Sequence, residues 1–131
     1  MTWNLDTNEI NNNAKSIIEN LKEESVAVYY FINDQFIKEN VNDNKLLQFV
    51  FRSFYRIDNA GLTDEFKKRY FEILQESKDI APNLKEICQE LYKIKNHRKL
   101  NTLQFSFVTK LANTVNPKLP IYDSEVAKMY S

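Results

Sequence analysis

The chain has very few of the residues that form tight turns. Gly61 is its only glycine, and it has three prolines, Pro82, Pro117 and Pro120. Tight β-hairpins commonly need glycine at a positive φ, so this scarcity argues against a fold of many short strands. The composition favours an all-α fold.

Cysteine and histidine are equally scarce, since Cys88 and His97 are the only examples. One cysteine excludes an internal disulfide, and one cysteine with one histidine cannot form a zinc cage. No Cys–His or Ser–His–Asp triad is visible in the sequence. Cys88 also lies on an apolar helical stripe, where a small buried residue is expected rather than a nucleophile. We therefore expect no metal site and no cofactor. Phosphate-binding glycine loops and other small-molecule enzyme motifs are missing as well.

Long apolar runs and an N-terminal targeting pattern are also missing. The longest apolar run, from Val26 to Ile32, is far too short to cross a bilayer. The first residues have neither the basic stretch nor the apolar core of a signal peptide. The sequence therefore predicts a soluble, cytoplasmic protein with no membrane partner.

The composition that is present is that of a globular domain. Its 131 residues are 43% hydrophobic and 13% aromatic, which is too apolar for a disordered segment and enough for one core. We expect residues 1–131 to form a single helical domain.

Apolar periodicity predicts a compact array of six to seven short helices. The first is expected from about Thr7 to Glu24. The segment Ser25 to Asn40 alternates like a strand in part, but no partner strand is evident, and we predict a helix. The later helices are predicted to start near Asp43 or Asn44, Thr63, Pro82, Thr102, and Asp123 or Ser124.

Basic residues are concentrated in one stretch, although the net charge is zero. No acidic residue occurs from Lys93 to Lys118. Such a stripe can contact backbone phosphates, or it can be a solvated loop whose cations offset the carbonyl end of a helix. The candidate nucleic-acid contacts are Lys93, Lys95, Arg98, Lys99 and Lys118.

Lys110 is a candidate catalytic residue. It lies beside Phe107, at the edge of a wide apolar arc on the predicted helix from Thr102 to Val115. Loss of solvation favours the neutral form of an amine, and a neutral amine can form a Schiff base with a sugar aldehyde. In the alternative, structural interpretation, the aliphatic stem covers Phe107 while the ammonium group reaches water.

Asp123 is the second candidate catalytic residue. In Pro120-Ile-Tyr-Asp123-Ser, its carboxylate is placed to cap a terminal helix by accepting from the amide of Glu125 or Val126. An ionised carboxylate at that point can also stabilise a developing cation. Both roles are compatible with the sequence.

The segments Phe107-Val-Thr-Lys110 and Pro120-Ile-Tyr-Asp123-Ser-Glu-Val-Ala-Lys128 together resemble the C-terminal half of the helix-hairpin-helix DNA glycosylase superfamily. The resemblance implies an all-α fold, a flipped base, Lys110 at the lysine position of the bifunctional members, and Asp123 at the catalytic aspartate. The glycine-containing hairpin that binds DNA in that superfamily has no counterpart here, because no glycine follows Gly61.

Two functions therefore compete, and the sequence leaves open whether the protein is an enzyme. The first is a non-catalytic interaction or regulatory protein distantly related to DNA glycosylases. Its exposed aromatics, for example in the segment from Tyr29 to Phe36, would contact a protein partner or a second copy. The alternative is a DNA-binding, glycosylase-like enzyme that uses Lys110 and Asp123. We favour the first.

Overall fold

A computed structural model describes residues 8–122, and the side chains of residues 23–122. This part of the chain contains five α-helices and no strand, so the all-α prediction is confirmed. Two single-turn 3-10 helices, Val41–Asp43 and Ile57–Asn59, precede and follow the second α-helix. The α-helices are α1 (Asn8–Lys38), α2 (Lys45–Phe54), α3 (Asp64–Glu76), α4 (Leu84–Tyr92) and α5 (Phe105–Val115).

The first helix differs most from its prediction. α1 is one continuous helix of 31 residues, so the predicted boundary near Glu24 is wrong, whereas the helical prediction for the following segment is confirmed. No proline or glycine interrupts the sequence around Glu24 and Ser25, and a β-branched residue such as Val26 weakens a helix only slightly. The helix can therefore continue through this point. The predicted count of six to seven short helices is not confirmed. The terminal helix predicted from Asp123 or Ser124 lies outside the described residues.

Side-chain caps fix the starts of α2 and α3 at the predicted residues. Asn44 accepts a hydrogen bond from the amide of Leu47 at 2.9 Å and begins α2, as predicted. Thr63 accepts from the amide of Phe66 at 3.2 Å and begins α3, also as predicted.

The remaining starts differ slightly from the predictions. Asn83 rather than Pro82 begins α4 by accepting from the amide of Glu86 at 3.1 Å. α5 begins at Phe105, three residues later than Thr102, after Gln104, whose side chain makes no cap hydrogen bond.

One hydrophobic core joins the five helices. At its centre, the ring of Phe51 contacts those of Tyr55, Tyr70 and Phe71, with centroids 4.8, 5.8 and 5.6 Å away. The Tyr70 hydroxyl donates to the carbonyl of Phe107 at 2.6 Å, which ties α3 to α5. α1 packs against α2 and α5, and α4 packs against α3 and α5. None of the helices described here is both long and apolar enough to span a membrane.

Candidate functional site

Lys110 is enclosed by the core. Only 5% of its surface is exposed. The structural interpretation expected the ammonium group to reach water, and this part of it is wrong. The ammonium nitrogen lies 4.6 Å from the ring centroid of Phe107 and 5.7 Å from that of Tyr55, within cation–π range. Lys110 also interacts with a group other than these two rings. The predicted contact with Phe107 is therefore present, in a buried setting.

The phenol of Tyr55 is the most unusual polar group beside Lys110. Its hydroxyl is buried and has no hydrogen bond of ordinary geometry among the described residues. Burial raises the pKa of Tyr55, nearby Tyr29 adds to the rise, and the hydroxyl of Thr114 offsets part of it. The phenol is consequently neutral at all physiological pH values. It therefore acts as part of the core rather than as an acid or a base.

A buried polar strip on α5 anchors the chain that follows the helix. The Asn113 side chain accepts from the Tyr29 hydroxyl at 2.8 Å and donates to the carbonyl of Leu119 at 2.7 Å. The Thr109 hydroxyl donates to the carbonyl of Ser106 at 2.7 Å and accepts from the amide of Tyr122 at 3.0 Å. The segment 116–122 therefore folds back along α5. The small polar residues of that helix serve this return, a role that the sequence interpretation missed.

Asp123 lies outside the described residues. Its predecessor, Tyr122, is held by Thr109, which is the residue next to Lys110 in α5. The ring of Tyr122 also contacts that of Phe105, with the centroids 5.8 Å apart.

The five predicted nucleic-acid contacts lie in two separate parts of the chain. All are exposed, and none forms an ion pair with an acidic residue in the part of the chain that the structure describes. Lys93, Lys95, Arg98 and Lys99 lie between α4 and α5, whereas Lys118 follows the other end of α5. The 11-residue helix α5 therefore lies between the two groups along the chain.

An apolar groove of about 660 Å³ lies between α4 and the start of α5, and we call it the α4–α5 groove. Three of its large side chains are well exposed: Leu103 at 65%, Tyr92 at 47% and Phe105 at 41%. Burial raises the pKa of the Cys88 thiol, which stays protonated and acts as an apolar group. The lining residues are Leu84, Lys85, Cys88, Gln89, Tyr92, Lys93, Leu103 and Phe105.

The sequence interpretation missed the groove because Leu103 falls within the helix predicted from Thr102 to Val115, on its wide apolar arc. α5 begins at Phe105 instead, which leaves Leu103 in the preceding loop and exposed.

A second concave region, between α2 and α3, is polar, and its lining includes charged side chains of both signs. Asp58 lies there between Arg52 at 3.0 Å and Lys67 at 2.9 Å. Partial burial alone raises the pKa of Asp58, but hydrogen bonds from Lys67 and Arg52 outweigh it and lower the pKa below its usual value. Lys110 lines neither this region nor the α4–α5 groove.

The predicted aromatic surface on α1 is only partly present. Tyr30 is exposed, but Phe36 is a core residue, and the ammonium nitrogen of Lys78 lies 4.9 Å from its ring centroid. Tyr29 and Phe31 are partly buried. The segment from Tyr29 to Phe36 therefore does not present a continuous aromatic patch.

Comparisons with protein-family models, with curated proteins and with solved structures found no significant match to this chain.

Proposed function

We propose that the chain is a non-catalytic protein-interaction domain whose binding surface is the α4–α5 groove. The observation that carries this proposal is a contrast in exposure, 5% for Lys110 against 65% for Leu103. A lysine that forms a Schiff base must reach the carbonyl of its substrate, whereas contiguous exposed apolar surface is typical of binding sites. In this proposal the likeness to DNA glycosylases reflects distant ancestry, and Lys110 has a packing role.

The second candidate is a DNA-binding, glycosylase-like enzyme that uses Lys110 and Asp123. One observation favours it: Thr109 holds Tyr122, the neighbour of Asp123, against the helix that carries Lys110. Such an enzyme would need an opening of the core that brings the Lys110 amine to the sugar of an abasic site. Lys93, Lys95, Arg98, Lys99 and Lys118 would then contact phosphates.

Borohydride trapping separates the two functions. The protein is incubated with duplex DNA that contains an abasic site, reduced with sodium borohydride, digested and mapped by mass spectrometry. We expect no adduct on Lys110, because its amine is enclosed. An adduct on Lys110 would contradict the proposal. Lys110→Met, which nearly preserves volume, should abolish such an adduct, whereas Lys93→Met, at an exposed lysine, serves as the matched control.

A further inference from the structure

One side of the α4–α5 groove is formed by successive turns of α4. On α4, positions 85, 88, 89 and 92 fall on the groove side, and Ile87 and Leu91 are buried on the core side. Leu103 and Phe105 form the opposite wall. α4 has nine residues, which corresponds to about 13 Å, or room for two to three turns of a bound helix.

The charged residues that line the groove are all cationic. Lys85 and Lys93 lie at its two ends, eight positions and therefore about 12 Å apart along α4, and both are exposed. No acidic residue lines the groove. The two glutamates of α4, Glu86 and Glu90, instead line a separate concave region near Pro82. Glu90 also pairs with Arg69 of α3 at 2.6 Å. Beyond Lys93 the chain continues with further cations, Lys95, Arg98 and Lys99.

We propose that the α4–α5 groove binds an acidic amphipathic helix of a partner protein. Its apolar side chains, at i, i+3 or i+4, and i+7, enter the groove between Leu103 and Cys88. Carboxylates about two turns apart on its flank face Lys85 and Lys93. This inference rests on the proposed function and specifies the class of partner that the same site recognises.

The groove is less suited to nucleic acid, although its cations could attract phosphates. Its lining is almost wholly apolar side-chain surface, including that of Leu84, Cys88 and Leu103. A base placed there would leave its polar edges without hydrogen-bond partners, which is costly in an apolar site. Apolar side chains on a helix carry no such cost.

A pair of synthetic peptides tests the proposal. One is a fluorescein-labelled amphipathic helix of about 15 residues with leucine and phenylalanine on one face and glutamate on both flanks. The other has lysine at every glutamate position. Fluorescence anisotropy with the full chain measures the affinity for each peptide. At low salt the acidic peptide should bind at least about tenfold more tightly than the basic one, and this difference should shrink as salt is added. Equal affinity for the two peptides, or no binding of the acidic one, would overturn the proposal.

Variants locate the binding surface. Lys85→Glu with Lys93→Glu should reverse the peptide preference, and Leu103→Asp should weaken binding of both peptides. Lys45→Glu with Lys68→Glu, which makes the same charge change at exposed lysines between α2 and α3, should bind like the wild type. Circular dichroism verifies that each variant is folded.

Two results would assign the groove to a different occupant and so overturn the proposal. One is tight binding of an oligothymidine strand that survives Leu103→Asp, and the other is a dimer of the chain that Leu103→Asp dissociates. Neither depends on trapping at Lys110. A Lys110 adduct would refute the non-catalytic function, whereas loss of peptide selectivity would refute only the partner assigned to the groove.

Discussion

Two buried tyrosines show how differently one hydroxyl can act in the same core. Tyr70 donates to the carbonyl of Phe107 at 2.6 Å, and its ring is completely buried. Tyr55 is buried nearby, but its hydroxyl makes no hydrogen bond of ordinary geometry within the described residues, although the Thr114 hydroxyl is close enough to lower its pKa in part. A buried hydroxyl without a partner costs free energy, whereas a paired one contributes modestly to stability.

This difference predicts opposite outcomes for one chemical change. Tyr70→Phe should lower the free energy of unfolding by about 1 kcal/mol, because the hydrogen bond between α3 and α5 is lost. Tyr55→Phe should leave it unchanged or raise it by up to about 1 kcal/mol, because the unpaired hydroxyl is removed and the ring beside Lys110 stays. Urea unfolding followed by circular dichroism measures both. An equal loss in the two variants would contradict this account of the core.

At the scale of elements, α5 is the organising helix. Its apolar side chains Val108 and Leu111 are fully buried, and its polar strip holds the returning segment 116–122. Asn113 is central to this arrangement because it bonds to Tyr29 of α1 and to the carbonyl of Leu119 at once. One side chain therefore links α1, α5 and the segment after α5.

Removal of this link should weaken the fold and loosen the segment. Asn113→Ala should lower the free energy of unfolding by about 2 kcal/mol, because partly buried groups on Tyr29 and Leu119 lose their partner. Chymotrypsin should also cleave after Tyr122 several-fold faster than in the wild type, because local opening becomes easier. Ser53→Ala, at an exposed position of α2, is the control and should change stability by less than about 0.5 kcal/mol. Wild-type stability and cleavage in Asn113→Ala would refute the anchoring role.

The helix starts that could be predicted from the sequence are those fixed by side-chain caps a few residues away. Asn44 and Thr63 act as caps through hydrogen bonds to amides three residues ahead, and such signals are visible in sequence. The fusion of α1 was not visible, because the strand-like alternation at Val26 and Val28 competes with a helix that tertiary packing stabilises. The start of α5 was misplaced because Leu103 fits the apolar period of the helix that follows it.

At the scale of the whole molecule, the candidate sites depend on contacts between residues that are distant in sequence, and hydrophobic periodicity does not predict such contacts. Lys110 was correctly placed beside Phe107, but its ammonium group also contacts Tyr55, the residue that directly follows α2 and is distant from Lys110 in sequence. The basic run from Lys93 to Lys118 is continuous in sequence, yet α5 separates its two ends. The α4–α5 groove likewise combines α4 with a loop that precedes the next helix.

The enclosure of Lys110 is the central claim, and competitive acetylation of the folded protein tests it most directly. The native chain is treated briefly with an amine-reactive acetylating reagent, and the labelling rate of each lysine is measured by mass spectrometry. Exposed Lys85, Lys93 and Lys118 provide internal references. Because the Lys110 amine must wait for local opening, we expect it to react at least about tenfold more slowly than these three. Labelling of Lys110 as fast as Lys93 would contradict the account and favour an accessible, chemically active lysine.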